Sequence, residues 1–446
     1  MVTLVSRLSK SVLSGCAALI LFLYFFPITD FFDSSIDGTN DIIISAFGQQ
    51  QSSLPQLNDR ALQVELVMEE LLFPTSMIFL DNNTLLITQK NKGDVISIIN
   101  GSVKSQPVIN VEVDNESSRG LLGISAMDKP SSGNTKFVFL YFTELNGQDQ
   151  IRNRVYRYEW NQENQTLVNA TMVLDLPAEP GPGHNGGKLE ADRNGNLYAV
   201  IGDLNREGQL QNIRQGSAAA DDTSVIIHIT QNGSAVGDNP FFKSTNERIQ
   251  KYYAYGIRNS FGLAIDPISG LLWDTENGPN AYDEMNIVQP GFNSGWKKIM
   301  GPISHSNIEK ANLQEELMVF DGSKYADPIF SWKDSVALTD LEFFNSRALG
   351  LEYAHNLFVG DFNNGNLYYF ELNNTRTGIK LDDNDLTGLT DKVADDNQEL
   401  SQIVFGTSFD NGITDIETGP DGFLYILTLD GSIYRISPVS NGNKQD

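Results

Sequence analysis

From residue 62 onward the chain is a succession of short apolar runs separated by Asn, Asp and Gly. Within a run, apolar side chains alternate with small or polar ones, as Phe261, Leu263 and Ile265 do. That two-residue period is the signature of a strand with one buried face. One unit keeps returning: an apolar strand, a tight turn, a strand rich in Leu, Tyr and Val, a loop, and a further strand. It covers residues 77–80, 85–89 and 95–99, then 121–125, 137–142 and 155–158, then 189–191, 197–201 and 225–229. Residues 261–265 and 271–273 begin a fourth unit; 341–344, 357–359 and 367–371 make a fifth, and 416–418, 423–427 and 433–436 a sixth. Turns fall at Asn82-Asn83, Asn194-Gly195 and Asp421-Gly422, where short polar side chains and glycine favour tight reversals. No long amphipathic helical period stands out, so the predicted class is all-β. Six units of roughly sixty residues suit a six-bladed β-propeller with one four-stranded sheet per blade. A pair of packed β-sandwiches is the competing arrangement, and the regular recurrence of the unit favours the propeller.

Ahead of these units the pattern changes. Arg7 and Lys10 precede an apolar run over residues 12–28. This reads as an export signal, or as an uncleaved anchor slightly short for a full span. Residues 13–16 look like a lipoprotein cleavage box, but most of the apolar run follows Cys16, on the wrong side. The expected organisation is a leader over 1–28, a polar linker over 29–60, the propeller over 61–438 and a polar tail over 439–446. Cys16 is the only cysteine, so the folded part has neither disulfides nor thiolate chemistry. A formal charge of −26 over 446 residues argues against nucleic acid or anionic membrane as a partner, leaving the N-terminal segment as the expected membrane contact. Asn-x-Ser/Thr sequons stand at Asn82, Asn100, Asn115, Asn164, Asn169, Asn232 and Asn373. Together with the leader they point to an extracytoplasmic, glycosylated protein, secreted or anchored by its N-terminus.

Candidate chemistry gathers where strands meet loops. His184 lies in the Gly/Pro loop Gly181-Pro182-Gly183-His184-Asn185-Gly186-Gly187, directly before the strand at Leu189. A loop histidine with a reference pKa near ~6.5 suits general base work, and the glycines admit a close ligand. A solvated loop histidine is the plainer reading. Asp203 follows at the end of the next hairpin, which returns the chain to the same end of the sheet, so its carboxylate can orient the imidazole. A simple turn aspartate is the alternative there. Arg258 and Asn259 precede the strand at Phe261. His228 sits in an apolar alternation and reads as structural or exposed; His305 and His355 lie in loops with no partner pattern. With four histidines in the chain, a multi-histidine metal site is not expected. Residues 383–388 suggest a calcium loop, but Ala394 stands where the bidentate glutamate belongs, so the segment reads as an acidic surface loop.

Several of these motifs together resemble the glucose/sorbosone dehydrogenase family. They are the stretch from Gly256-Ile257-Arg258-Asn259 to Gly262-Leu263, Glu276-Asn277-Gly278-Pro279, Asp283-Glu284-Met285-Asn286, the His184 loop, Arg119-Gly120-Leu121-Leu122-Gly123, Asp238-Asn239-Pro240-Phe241 and Gly419-Pro420-Asp421-Gly422. The resemblance spans residues 65–437. It implies a soluble aldose dehydrogenase that uses pyrroloquinoline quinone (PQQ) and calcium on a six-bladed propeller. On that resemblance His184 is the base that takes the proton from the sugar's anomeric hydroxyl, and Asp203 supports it. Arg258 and Asn259 contact the quinone, and the backbone carbonyls of Gly278 and Pro279 ligate calcium; oxygen-only ligation is what calcium prefers. The reaction implied is hydride transfer from C1 of a sugar to the quinone, giving a lactone, with an external electron acceptor of unidentified kind.

The chain also departs from the family. Gly412-Ile413-Thr414-Asp415 replaces an Arg-x-Arg-Asp segment, Asp361-Phe362-Asn363 stands where some members place a lysine, and Ser294 replaces a tyrosine. Each charge-assisted contact to a carboxylate is worth about 1.5–3 kcal/mol, so three lost contacts would cost roughly 5–9 kcal/mol of PQQ affinity. Lys90, Lys92, Arg119 and Lys188 are the candidates to compensate. Two other readings stay open at this point: a non-catalytic extracellular propeller binding carbohydrate or a partner protein, and a calcium-dependent lactone hydrolase using Asp203, Asp283 and Glu284.

Overall fold

The computed structural model describes residues 54–130, 135–146, 150–213, 220–381 and 388–439. All of these belong to one compact unit, Gln51–Asp446. The expected leader, most of the expected linker, nearly all of the tail and the acidic loop at Asp383 lie outside the described residues.

The unit is an all-β propeller whose strands form six sheets. In the first sheet Pro74–Asp81 pairs with Thr84–Gln89 and then with Asp94–Ile99, all antiparallel. The second runs from Leu121–Asp128 through Lys136–Asn146 and Gln150–Asn161 to Thr166–Pro177. The third, fourth and fifth begin at Leu189–Ala191, Gly262–Ile265 and Leu338–Phe343, and the sixth at Ile413–Thr418. Middle strands are buried on both faces because each sheet is packed between two others. Every residue of Thr84–Gln89 is buried, whereas the outermost strand Thr166–Pro177 exposes residues 169–172.

The core is divided among the seams between sheets. One cluster joins the first and second sheets through Leu86, Val95, Leu121 and Leu140, and another joins the second and third through Phe139, Leu176, Leu197 and Ile227. Further clusters join the third to the fourth, the fourth to the fifth and the fifth to the sixth. The last seam, Met77, Leu85 and Ile87 against Tyr425, Leu427 and Ile433, joins the sixth to the first and closes the ring. Closure uses both ends of the domain: Leu62–Met68 is the outermost strand of the sixth sheet, paired with Ile433–Pro438.

Two features differ from the sequence expectation. Gln56–Leu57 is a strand paired with Val404–Thr407, so the segment expected as linker up to residue 60 already belongs to the fifth sheet. A two-residue strand is too short to show a period. The third and fourth sheets also exceed four strands, because Phe292–Asn293, Lys324–Tyr325 and Val393–Ala394 add short parallel pieces from long connections.

In every sheet the first and second strands are antiparallel, so the loop entering the first strand and the loop leaving the second share one end. At that end, side chains from, or directly before, the first strands of the third, fifth and sixth sheets meet across the ring axis in two tiers. Lys188, Asp340 and Asp415 make the upper tier, with the Lys188 ammonium 2.8 Å from Asp340 and 2.5 Å from Asp415. Glu190, Glu342 and Glu417, two residues further along each strand, make the lower tier. Burial is the leading cause that pushes Glu190 up to about 8 and Glu342 up to about 7, and it drives Glu417 well up too. Raised carboxyl pKa values stabilise the fold fully below their unfolded values and lose that contribution as pH rises through the folded ones. Stability should therefore fall between about pH 5 and pH 8. A carboxyl moved from the ordinary 4.5 to about 7 accounts for roughly 3 kcal/mol of that slope. Urea titrations at pH 5 and pH 8.5 check this. Glu342→Gln is expected to flatten the difference, and an unchanged slope would mean that these carboxyls are not the source.

Candidate active site

The His184 loop lies flat on its own sheet. A Cβ added at Gly186 would stand 2.5 Å from the Val200 carbonyl oxygen, and His184 itself adopts a left-handed φ of 60°. This folds the imidazole back over the end of Asn196–Ile201, where Nδ1 is 2.6 Å from Asp203 Oδ1. Asp203 is nearly buried and fully engaged. Its Oδ1 also accepts from the Asn205 amide at 2.8 Å, and its Oδ2 accepts from Trp296 Nε1 at 2.8 Å. A carboxylate held this way accepts from an Nδ1–H, the tautomer of a neutral imidazole whose lone pair lies on Nε2.

Gly202 brings the next element in. A Cβ there would lie 2.4 Å from the Arg258 carbonyl and 2.6 Å from that of His184, and the Asp203 amide donates to the Arg258 carbonyl at 2.9 Å. The loops before the third and fourth sheets are thereby stitched together. Arg258 lies 5.3 Å over the Trp296 ring and donates from Nη1 to the Asn277 carbonyl at 2.8 Å; its backbone N–H donates to Glu276 Oε1 at 2.6 Å. Its Nε, Asn259 Oδ1 and Asn277 Oδ1 are buried with no hydrogen-bond partner. Buried polar groups are normally satisfied, so three orphaned atoms on one wall mark a place for a polar ligand that both accepts and donates.

Gly278 and Pro279 follow Asn277. The Gly278 amide donates at 2.9 Å to Asp283 Oδ1, and Asp283 also receives the amides of Val336 and Ala337, which fixes this loop to the fifth sheet. Behind the wall, Asp274, Glu276 and Glu284 are buried carboxyls, and burial is the first cause raising each; Glu276 is pushed up to about 7. Ser294, at the position of the family's tyrosine, donates to Glu276 Oε2 at 2.6 Å. Among the described residues, acidic side chains spaced to share a metal gather only at Asp395, Asp396 and Glu399, so calcium near Gly278 would rely on backbone carbonyls.

The structure therefore brings His184, Asp203, Arg258 and Asn259 to one place beside Gly278 and Pro279. Arg119 and Lys188 are differently occupied. Arg119 is buried, with Nη1 3.2 Å from Glu116 and 3.6 Å from Asp114, and Nη2 donating to the Ala178 carbonyl at 2.9 Å. Lys188 is held by its two aspartates. Lys90 is buried too, and burial pulls it down to about 8. Trp296 is a site residue that the sequence does not reveal, because no local period says that an indole will reach across to Asp203. His305 does have a partner: its Nδ1 is 2.8 Å from the hydroxyl of Tyr282, far off in sequence. His228 is structural, stacked 4.0 Å from Tyr198 with Nδ1 2.7 Å from Asn239 Oδ1.

Comparison with known proteins places the chain in a family. The profile of the family described as glucose/sorbosone dehydrogenase matches residues 71–435. An aldose sugar dehydrogenase of Escherichia coli K12 is 28% identical over 381 residues, covering 84% of this chain and 92% of the relative. Quinoprotein glucose dehydrogenase B of Acinetobacter calcoaceticus is 27% identical over 274 residues, 56% of this chain and 55% of the relative. Among solved structures, the apo soluble aldose sugar dehydrogenase of Escherichia coli superposes with a TM-score of 0.65 at 24% identity, covering 84% of this chain and 99% of that one. The PQQ-bound aldose sugar dehydrogenase of Streptomyces coelicolor superposes with a TM-score of 0.62 at 20% identity, over 86% and 99%. At these identities the two superpositions speak to the fold alone.

Proposed function

The chain belongs to the glucose/sorbosone dehydrogenase family, and from that premise we propose that it oxidises an aldose sugar at C1 to the lactone, with PQQ as its cofactor. We read each of the six sheets as one blade of the propeller, with the active site at the end where the His184 and Arg258 loops meet. The observation that carries the reading is the His184–Asp203 contact of 2.6 Å set beside the orphaned atoms of Arg258 and Asn259. A quinone carrying carboxylates fits the cationic donors of Arg258, while the orphaned oxygens of Asn259 and Asn277 call for a donor on the same ligand.

When bound, PQQ would supply the hydride acceptor. The rest falls to the chain. His184 Nε2 takes the proton from the anomeric hydroxyl, and Asp203 stabilises the imidazolium that results. Trp296 and the Asn205 amide keep Asp203 from turning away. Arg258, held over Trp296 and tied to Asn277, is placed to stabilise negative charge at the cofactor. The carbonyls of Gly278 and Pro279 would hold calcium there. The charged, apolar start of the chain supports export, with the N-terminus as a signal or anchor; among the described residues no helix is long and apolar enough to cross a membrane.

Titration of the purified protein with PQQ and calcium, read by absorbance and by dye reduction on a panel of aldoses, tests the reading. Arg258→Met is expected to weaken PQQ binding by about ten- to a hundredfold, the loss of one charge-assisted contact. Absence of binding at high micromolar PQQ would overturn the cofactor assignment. Sugar binding without turnover would favour the non-catalytic propeller.

A further inference from the structure

The strand directions that place the catalytic loops at one end also sort the seven sequons. Turns between first and second strands, and between third and fourth, lie at the opposite end. Asn82 is in the first kind of turn, between Pro74–Asp81 and Thr84–Gln89. Asn100 follows Asp94–Ile99, Asn164 links Gln150–Asn161 to Thr166–Pro177, Asn232 follows Val225–Thr230 and Asn373 follows Leu367–Phe370, all in the second kind. Asn169 lies just inside Thr166–Pro177, near the same end. Only Asn115, between Ile109–Asn110 and Leu121–Asp128, is at the catalytic end.

That end is not short of asparagine. Asn185, Asn205, Asn259, Asn277, Asn293 and Asn363 all stand there, and none has Ser or Thr two residues later. Asn82, Asn100, Asn164, Asn169 and Asn232 are exposed and Asn373 half-buried; Asn115 is exposed too, but its Nδ2 donates to the Asn91 carbonyl at 3.2 Å. Asn100 sits at a hairpin tip beside Gly101, where an added Cβ meets nothing within 4 Å, and its Ser102 is exposed; Asn232 and Ser234 are likewise exposed. Asn169 lies on the outermost strand of the second sheet, in the exposed run 169–172. A glycan there would cover a free sheet edge, which otherwise invites strand addition.

We propose that the end opposite the active site is an N-glycosylated face, with Asn100 and Asn232 its principal acceptors, while the catalytic end stays bare for substrate and electron acceptor. The donor is a lipid-linked oligosaccharide diphosphate. The amide Nδ2 forms a bond to the sugar's C1 and gives up a proton, the C1–oxygen bond breaks, and the lipid diphosphate leaves. The proposal rests on export; its bare end also rests on the dehydrogenase reading, while its glycan acceptors do not. Glycopeptide mass spectrometry on the protein purified from its own cells, with its cell fraction recorded, tests it. Added glycan mass is expected on the Asn100 and Asn232 peptides, with the Asn115 peptide unmodified. Protein recovered outside the cytoplasm with both principal peptides unmodified would overturn it, and so would a glycan at Asn115. Recovery in the cytoplasm would overturn it separately, through export, leaving the active-site reading untouched.

Discussion

Replacing His184 by alanine is expected to lower dye-linked aldose oxidation by about 10²–10⁴-fold while leaving PQQ binding nearly unchanged. The expectation follows from the division of labour in the site. Nδ1 is committed to Asp203 at 2.6 Å, so Nε2 is the atom free to take a proton. Asp203 is in turn committed to Trp296 and to the Asn205 amide, so it cannot swing in to replace the imidazole. The wall proposed for the cofactor, at Arg258 and Asn259, leads into the next sheet and does not depend on the His184 side chain. Stopped-flow reduction of bound PQQ by sugar, alongside equilibrium PQQ titration, separates the two effects. Asp203→Asn should fall between wild type and His184→Ala, because it leaves the base but loses the charge that stabilises its protonated form. Turnover of His184→Ala within threefold of wild type would mean that the base lies elsewhere.

The site was legible where function and strand grammar coincide. His184 and Asp203 flank a hairpin, and a hairpin returns its ends to one place, so their meeting follows from the strand reading. Arg258 and Asn259 precede a first strand for the same reason. What could not be read is whatever depends on the ring. Lys188 stands in a run that looks like a loop entering a strand, and its partners Asp340 and Asp415 are more than a hundred residues away on strands of the fifth and sixth sheets. Their pairing exists only because first strands converge on an axis. The alternation Lys188/Glu190, Asp340/Glu342 and Asp415/Glu417 was visible as a period of two, but in an acidic chain such spacing looks like a solvated strand face. The joining of Leu62–Met68 to the sixth sheet was equally hidden, since it sets residues from the two ends of the domain side by side. Arg119 illustrates the converse. The motif around it is family-like, yet its guanidinium is taken up by Asp114, Glu116 and the Ala178 carbonyl, partners that depend on how the loop folds back.

The same ring contact supports the second large effect, Lys188→Met, which should destabilise the protein by about 3–5 kcal/mol. The ammonium is the cation between Asp340 and Asp415, each nearly inaccessible to water. Asp340 also accepts from the Ile416 amide at 3.0 Å, and Asp415 from the Met77 amide at 2.6 Å, so one lysine ties the third sheet to the fifth and sixth and, through Asp415, to the first. Without it the two aspartates face each other uncompensated. Burial already pushes Asp340 well up in the wild type, and removing the cation pushes it further. A raised carboxyl keeps its contribution to stability below the unfolded pKa and loses it as pH rises. The deficit of the variant should therefore be small near pH 4 and grow toward pH 8. Denaturant titration across that range measures it, and adding Asp340→Asn and Asp415→Asn to the variant should recover most of the loss. The measurement also decides between two roles for Lys188. If the lysine is a structural clasp, PQQ affinity of the still-folded variant stays within a few-fold of wild type. If instead it replaces the missing arginines of the sixth sheet, affinity falls by ten- to a hundredfold, as one charge-assisted contact is worth. The two short ion pairs favour the clasp, because an ammonium already satisfied by two buried carboxylates has little charge left to offer a third.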